Sequence, residues 1–249
     1  MAFDLSSLQS SKSGKPPRIV LYGDHGIGKS TFGASAPSPV FMPSEDGLDY
    51  IDVKAFPVAK SYEDLCGHIE ALLVQDHDFQ TVVLDTADWA EKLVHDYTAR
   101  SHGEDSIESF GFGKGYVHAA NVFRELLDGF NALRLKKNMT VIITAHCEVK
   151  RFDDPTAESY DRFQLKLHKS AAALLAEWCD VLAFAQVEAF VQKEEQGFGK
   201  KKGRAVATGQ RVMHCNRKPA FDAKNRAGLP DTLPLSWSAF EAAIAATSN

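Results

Sequence analysis

Residues 18–33 read RIVLYGDHGIGKSTFG, and within them Gly23 to Ser30 follow the spacing G-x-x-x-x-G-K-[ST]. An apolar run leads into this stretch, and a short helix from Lys29 to about Ala36 is predicted to follow it, which is the context of a phosphate-binding loop. A plain tight turn needs neither a lysine nor a hydroxyl at these positions. The stretch therefore predicts a nucleotide-binding P-loop made of Gly23, Asp24, His25, Gly26, Ile27, Gly28, Lys29, Ser30 and Thr31.

The chemistry of this loop predicts ATP and Mg²⁺ as its ligands. The glycines allow the backbone N–H groups to approach phosphate oxygens without an intervening Cβ. Lys29 is expected to reach the β- and γ-phosphates, and the Ser30 hydroxyl to ligate the metal.

The rest of the chain alternates between apolar runs and helical patterns. Further strands are predicted at 40–45, 81–85, 140–146, 180–191 and 204–214, and helices at 61–75, 86–100, 116–137 and close to the C-terminus. Continuous apolar runs are typical of strands covered on both faces. We expect a three-layer α/β fold with a mainly parallel central sheet and an antiparallel extension on its C-terminal side. A polar tail over 1–17 precedes one domain over 18–249, and the charged segment 197–204 is predicted to be a hairpin tip.

Composition limits the function classes. The 249 residues are 44% hydrophobic and 24% charged, which is ordinary for a globular protein. No apolar run is long enough for a transmembrane helix, and the N-terminus has no apolar core of a secretory signal, so we expect a cytoplasmic protein without a membrane partner. Four scattered cysteines fit reduced thiols. The net charge of −5 requires any nucleic-acid site to be local.

Three polar residues at the ends of apolar runs are candidate catalytic groups. Asp85 ends TVVLD, where a Walker B acid holds magnesium, although it could instead cap the next helix. Glu45 ends VFMPSE and could polarise an attacking water, or be an exposed loop acid. His146 ends TVIITAH and could sense the γ-phosphate, or be a satisfied core histidine.

The order of these motifs resembles the RecA core more than AAA+ or nucleotide-kinase folds. The resemblance implies that Glu45 is the catalytic glutamate, that Asp49 and Tyr50 contact adenine, and that His146 replaces a sensor that is usually glutamine. The segment FDAKNRAGLP (221–230) resembles the K-x-R finger of hexameric helicases. By this resemblance, Lys224 and Arg226 reach the nucleotide of a neighbouring subunit in a ring or filament, whereas a basic turn is the simpler alternative.

The whole chain resembles compact phage-encoded, core-only RecA-like ATPases, some of which anneal or recombine single-stranded DNA in the host cytoplasm. In the RecA family, one loop after Walker B and another after the sensor strand grip DNA. Here these are 101–116 and 147–166, which pair aromatic with basic groups as single-strand binding requires. The expected contacts are Phe112, Lys114, Tyr116, Lys150, Arg151, Phe152 and Arg162. Both segments also carry acids, and their aromatic rings could pack onto the core instead.

Three functions stay open on this basis. The first is an oligomeric ATPase on single-stranded DNA that promotes annealing or recombination. The second is a helicase, loader or remodelling ATPase that acts on a protein partner. The third is a small-molecule P-loop kinase, for which the sequence shows no arginine-rich lid.

Overall fold

The computed structural model describes residues 14–156, 158–196 and 200–247. Its strands are β1 (Arg18–Gly23), β2 (Pro39–Pro43), β3 (Lys54–Ala55), β4 (Thr81–Asp85), β5 (Thr140–Phe152), β6 (Tyr160–Leu165), β7 (Val181–Gln196), β8 (Lys200–His214), β9 (Lys224–Asn225) and β10 (Thr232–Pro234). Its helices are α1 (Lys29–Ala34), α2 (Tyr62–Val74), α3 (Ala87–Ser101), α4 (Lys114–Lys136), α5 (Lys169–Trp178) and α6 (Trp237–Thr247).

A single ten-stranded sheet runs through the fold in the order β10-β8-β7-β1-β5-β4-β2-β3, with β6 on β5 and β9 on β7. The strands from β7 to β3 in this order are parallel to their neighbours, whereas β8, β9 and β10 pair in antiparallel fashion. The predicted mainly parallel sheet with an antiparallel C-terminal extension is therefore confirmed. Since β5 lies between β1 and β4, the middle of β5, up to His146, lies between the ends of the strands that carry the P-loop and Asp85.

Helices cover both faces of this sheet and give it three layers. Val20 and Tyr22 of β1 point into the core formed with α2, α3, α4 and α5. The alternate residues Ile19 and Leu21 face the core formed with α1 and α6. Successive side chains of a strand point to opposite faces, so a strand buried on both faces must be apolar throughout, as the sequence pattern indicated.

The start of α2 is determined by a local capping motif, as the sequence predicts. The Ser61 hydroxyl accepts a hydrogen bond from the Asp64 N–H at 3.1 Å, and the Asp64 carboxylate accepts one from the Ser61 N–H, which forms the expected capping box before α2. The predicted loop over 101–116 is shorter than expected, because α3 continues to Ser101, a 3₁₀ turn occupies Ile107–Phe110, and α4 already begins at Lys114.

The segment 147–166 is a β-hairpin and not the loop expected from the sequence. Strand β5 continues to Phe152, and β6 returns along it with residue pairs from Cys147–Leu165 to Phe152–Tyr160. The antiparallel ladder satisfies backbone groups that a loop would leave to water. Residues 197–199 of the predicted hairpin tip at 197–204 lie outside the described residues, although β7 and β8 on either side are antiparallel.

The division into a tail over 1–17 and one domain over 18–249 stays a prediction, and residues 1–13 and 248–249 are not described. None of the helices in the described part is long and apolar enough to cross a membrane. All four cysteines are unpaired thiols.

Candidate functional site

The loop between β1 and α1 is the predicted P-loop, and its backbone conformation depends on glycine. Gly28 has φ 110°, in the left-handed region, and a Cβ on it would lie 3.2 Å from the Arg211 guanidinium, so a side chain would be strained and crowded here. The Lys29 ammonium donates to the carbonyl oxygens of Gly23 at 3.0 Å and Asp24 at 2.9 Å. Burial lowers the pKa of Lys29, and the nearby Asp85 carboxylate acts in the opposite direction. This buried cation lies where phosphate charge would need compensation.

Asp85, at the end of β4, joins the loop to the neighbouring strand. Its Oδ2 accepts a hydrogen bond from the Ser30 hydroxyl at 2.7 Å, and its Oδ1 accepts one from the hydroxyl of Thr144 on β5. Thr86, not Asp85, is the N-cap residue of α3. The carboxylate and the P-loop hydroxyl therefore lie together, as a shared magnesium shell requires. The role of Thr144 was not predicted.

Glu45 lies two residues beyond the end of β2, across the cavity from the P-loop. Its Oε1 accepts a hydrogen bond from the Thr86 hydroxyl at 3.0 Å and is 4.0 Å from Nε2 of His146. About a quarter of the side chain is exposed. The carboxylate is therefore held at one oxygen and still accessible from the cavity.

His146 lies in the middle of β5, next to Gly23 in the register of the sheet, and not at the end of the strand as the sequence predicted, because β5 continues to Phe152 along β6. Its Nδ1 is 2.9 Å from Oδ2 of Asp88, and its backbone N–H donates to the other oxygen of Asp88 at 3.0 Å. Its ring lies 3.9 Å from that of His25 in the P-loop. The sequence did not predict Asp88, because nothing local distinguishes it from an ordinary acid in the first turn of a helix.

These residues surround one cavity of about 340 Å³. Its lining comprises His25, Gly26, Gly28, Lys29, Ser30, Thr31, Glu45, Asp46, Gly47, Ile51, Asp85, Thr86, His146 and Arg211. Gly23, Asp24 and Ile27 of the predicted loop do not line it, and Ile27 is buried in the core instead. The structure thus brings the P-loop, Glu45, Asp85 and His146 together.

The two residues predicted to contact adenine are absent from this lining. Asp49 and Tyr50 lie outside it, and the Tyr50 side chain is fully exposed, so their contact with adenine stays a prediction. Asp46, Gly47 and Ile51 of the same segment are the lining residues. Arg211 on β8 was not predicted, since it is 181 positions from Ser30 in the sequence (211 − 30).

A larger cavity of about 600 Å³ lies elsewhere and contains none of the predicted site residues. It is lined by Ala34, Ser38, Pro39, Asp52, Val53, Lys54, His77, Asp78 and Phe79. Pro39 starts β2, whereas Glu45 follows the end of that strand, so this cavity opens at the opposite edge of the sheet from the P-loop. Size alone does not make it the functional site, because the groups for phosphate chemistry line the smaller cavity.

Lys224 and Arg226 lie far from the P-loop of their own chain. Lys224 pairs with Leu182 near the start of β7, at the amino edge of the sheet. Its ammonium donates to the carbonyl oxygens of Ala176 and Glu177 at 2.7 Å each, at the C-terminus of α5. The Arg226 side chain is exposed. A contact of either residue with nucleotide would therefore have to come from another subunit.

The residues expected to contact DNA divide into accessible and buried ones. Phe112, Lys114, Lys150 and Arg151 are exposed, and Phe152 is partly exposed. Arg162 is buried: its side chain is 3% exposed and forms an ion pair with Asp222, so its predicted contact with DNA has no support from accessibility.

Tyr116, in the first of the two segments, contacts His168, two residues after the second segment ends. Its ring stacks on that of His168 at 3.9 Å, and its hydroxyl donates to Glu108. The backbone N–H of His168 donates to both oxygens of Glu91 on α3. The first segment is thus packed against the residues that follow the hairpin.

Residues 15–227 match a protein family described as AAA domain, which covers most of the chain. The chain belongs to this AAA-domain family. Its members are P-loop NTPases, so the AAA domain supports nucleotide binding and ATPase activity for this protein. No curated protein matches the sequence significantly.

Proposed function

We propose that this AAA-domain protein hydrolyses ATP with Mg²⁺ in the cavity between the P-loop and Glu45. The observation that carries the proposal is the convergence of Lys29, the Ser30–Asp85 pair and the Glu45 carboxylate on one cavity. A site that only held nucleotide would not need an accessible carboxylate opposite the phosphate cradle.

The residues present fit both ATP and magnesium. The P-loop backbone and Lys29 would hold the β- and γ-phosphates, while Ser30 and Asp85 would hold the metal shell. Magnesium, when bound, neutralises phosphate charge. Ile51 and Arg211, which also line the cavity, are our candidates for contacts with the rest of the nucleotide.

In the hydrolytic step, Glu45 takes one proton from a water molecule as the water oxygen bonds to the γ-phosphorus. The bond between that phosphorus and the bridging oxygen breaks, and its electron pair leaves with ADP. Thr86 orients the receiving carboxylate through the hydrogen bond at 3.0 Å.

Phosphate release from ATP by the purified protein, with and without Mg²⁺, tests this function. Lys29→Ala should abolish nucleotide binding, because it removes the buried cation at the phosphate site. Lys136→Ala removes an exposed lysine from α4 and is the matched control. Nucleotide affinity that is equal in both variants would refute the P-loop assignment.

We further propose that the ATPase assembles on single-stranded DNA and promotes annealing or recombination, as the likeness to phage RecA-like proteins suggests. The favouring observation is that Phe112 and Lys114 belong to a segment packed, through Tyr116, against the residues after the Lys150–Arg151 hairpin. Exposed cations beside aromatic rings suit phosphates and stacked bases. The residues KKKGR at 200–204 could add phosphate contacts, but their side chains are not described.

Fluorescence anisotropy of a labelled single strand, measured over a range of salt concentrations with and without ATP, tests this second proposal. Combining Lys114→Ala with Arg151→Ala should weaken binding and reduce the slope of log K against log salt concentration by about 1.4, which is about 0.7 for each lost phosphate contact. The control combines Arg124→Ala with Lys136→Ala on α4, both exposed. Failure of the wild type to bind at low salt would favour a loader or remodelling ATPase with a protein partner, or a kinase.

We also propose that Lys224 and Arg226 complete a neighbouring site in a ring or filament. Their place at the amino edge of the sheet, outside the lining of the cavity in their own chain, and the exposure of Arg226 favour action between subunits. Arg226→Ala should lower the turnover of assembled protein, and mixing it with Lys29→Ala should restore part of the activity. A mixture without any restoration would exclude the trans arrangement.

A further inference from the structure

Asp88 is a buried carboxylate beside the nucleotide cavity that neither the P-loop nor the magnesium pair uses. It lies in the first turn of α3, is 5% exposed, and does not line the cavity. Both of its oxygens accept hydrogen bonds from His146: Oδ1 from the backbone N–H at 3.0 Å and Oδ2 from Nδ1 at 2.9 Å. A buried charge is costly unless it is hydrogen-bonded, and here the hydrogen bonds come from the candidate sensor.

These hydrogen bonds determine which ring nitrogen of His146 carries the proton. Burial would raise the pKa of Asp88, but the hydrogen bonds from His146 outweigh it and hold the pKa at about 2. An ionised carboxylate accepts hydrogen bonds and donates none. Nδ1 of His146 must therefore carry a hydrogen, and Nε2 is left to face the cavity.

The imidazole is also fixed in orientation. The His25 ring lies 3.9 Å away at an interplanar angle of 31°, on the P-loop side, and the His146 side chain is 7% exposed. A ring flip would break the contact with Asp88. Nε2 is therefore held 4.0 Å from Oε1 of Glu45, which is too long for a direct hydrogen bond and short enough for one water to contact both atoms.

We propose that Asp88 is a positioning residue that holds His146 in the Nδ1–H form, so that Nε2 accepts a hydrogen bond from the water that Glu45 activates. This inference rests on the proposed ATP hydrolysis. Glu45 takes one hydrogen of the water, and Nε2 orients the other without receiving it. The water oxygen is thereby aimed at the γ-phosphorus.

Asp88→Asn tests the proposal with an isosteric change. The amide can donate to Nδ1, so the ring should switch to the Nε2–H form and present a donor where an acceptor is needed. Loss of the carboxylate that orients a metal-binding histidine typically costs about 10–100-fold, and we take the same range for His146, which Asp88 holds in the same way. We expect this loss in kcat, with KM for ATP changed less than about threefold, since Asp88 does not line the cavity.

Long-range ¹H–¹⁵N spectra of histidine-labelled protein at pH 8 read the form of the ring directly. His146→Gln identifies the His146 signals by their loss, and adding Asp88→Asn to it should lower kcat no further. The wild type should show the Nδ1–H pattern and Asp88→Asn the Nε2–H pattern. Asp96→Asn, an exposed acid on the same helix, is the control and should change neither the His146 signals nor kcat.

If His146 of the wild type carries its proton on Nε2 only, or carries protons on both nitrogens, the proposal is overturned. This test needs only the wild-type protein, so it stands even if Asp88→Asn does not fold. An unchanged kcat in Asp88→Asn, or a further loss from Asp88→Asn in the His146→Gln background, would also overturn the proposal. Absence of ATPase activity in the wild type would instead refute the proposed function, because the spectrum reports the ring whether or not ATP is hydrolysed.

Discussion

Glu45→Gln should nearly abolish ATP turnover while leaving ATP binding intact. The substitution replaces the carboxylate that receives the proton by an amide of the same shape, which cannot act as a base. A positioned general base contributes about 10²–10⁴-fold, or about 3–5 kcal/mol of transition-state stabilisation. We therefore expect single-turnover hydrolysis to slow by that factor.

The effect on the fold and on affinity should be small. The glutamine oxygen can still accept the Thr86 hydrogen bond at 3.0 Å, so only the extra strength of a charged acceptor is lost, about 1 kcal/mol. The Kd for ATP should change less than about threefold, because the phosphates are held by the P-loop. Glu45→Asp keeps the charge, but its shorter side chain moves the carboxylate about 1.5 Å away from the position of the attacking water. Since 1 Å of misplacement can cost about 10²-fold, this variant should also be slow.

Quenched-flow hydrolysis with excess protein, together with equilibrium binding of a fluorescent ATP analogue, separates the two effects. Glu70→Gln replaces an exposed acid on α2 and is the control, because it removes the same charge away from the cavity. Turnover of Glu45→Gln within threefold of the wild type would remove Glu45 from the mechanism. A loss of binding as large as the loss of turnover would make it a binding residue instead.

Three more outcomes are expected elsewhere in the molecule. Gly23→Ala would bring a Cβ to 2.3 Å from a backbone carbonyl oxygen of β7, so it should lower the free energy of unfolding by about 1–3 kcal/mol. The control Gly67→Ala on α2 places its Cβ in open space and should not lower it. Equal melting temperatures of the two variants would contradict this. Burial raises the pKa of Glu91 from 4.5 to about 7. Between about pH 4.5 and 7, Glu91 therefore keeps its proton in the folded chain but is ionised in the unfolded chain. The free energy of unfolding should fall by roughly 3 kcal/mol as the pH rises through this range. Denaturation at pH 5 and 8 should show that Glu91→Gln lacks this fall, and an equal fall in both proteins would exclude Glu91 as its source. Arg211→Ala should weaken ATP binding by roughly 3–10-fold in the same fluorescence assay, with Arg124→Ala as control, because an exposed guanidinium contributes less than a buried one.

Much of the site was predictable because parallel strands end at a common edge. The P-loop, Glu45, Asp85 and His146 each follow an apolar run, and such runs predict strands whose carboxyl ends meet. Order along the chain was sufficient to predict their proximity.

The partners that hold these residues were not predictable in the same way. Thr144 contacts Asp85, which is 59 positions away in the sequence, and Asp88 contacts His146, which is 58 positions away. Which serine, threonine or aspartate meets a given group depends on strand register and helix rotation. Neither leaves a local sequence signal.

The sequence by itself determined the chemistry of the P-loop, since its glycines, lysine and serine act through backbone freedom and side-chain type at fixed local spacing. Only the tertiary structure decided that 147–166 is a hairpin, that Arg162 is buried on Asp222, and that Ile51 and Arg211 rather than Tyr50 line the cavity. The physical reason is that burial and pairing depend on which surfaces meet across the sheet. Local spacing along one strand does not contain that information.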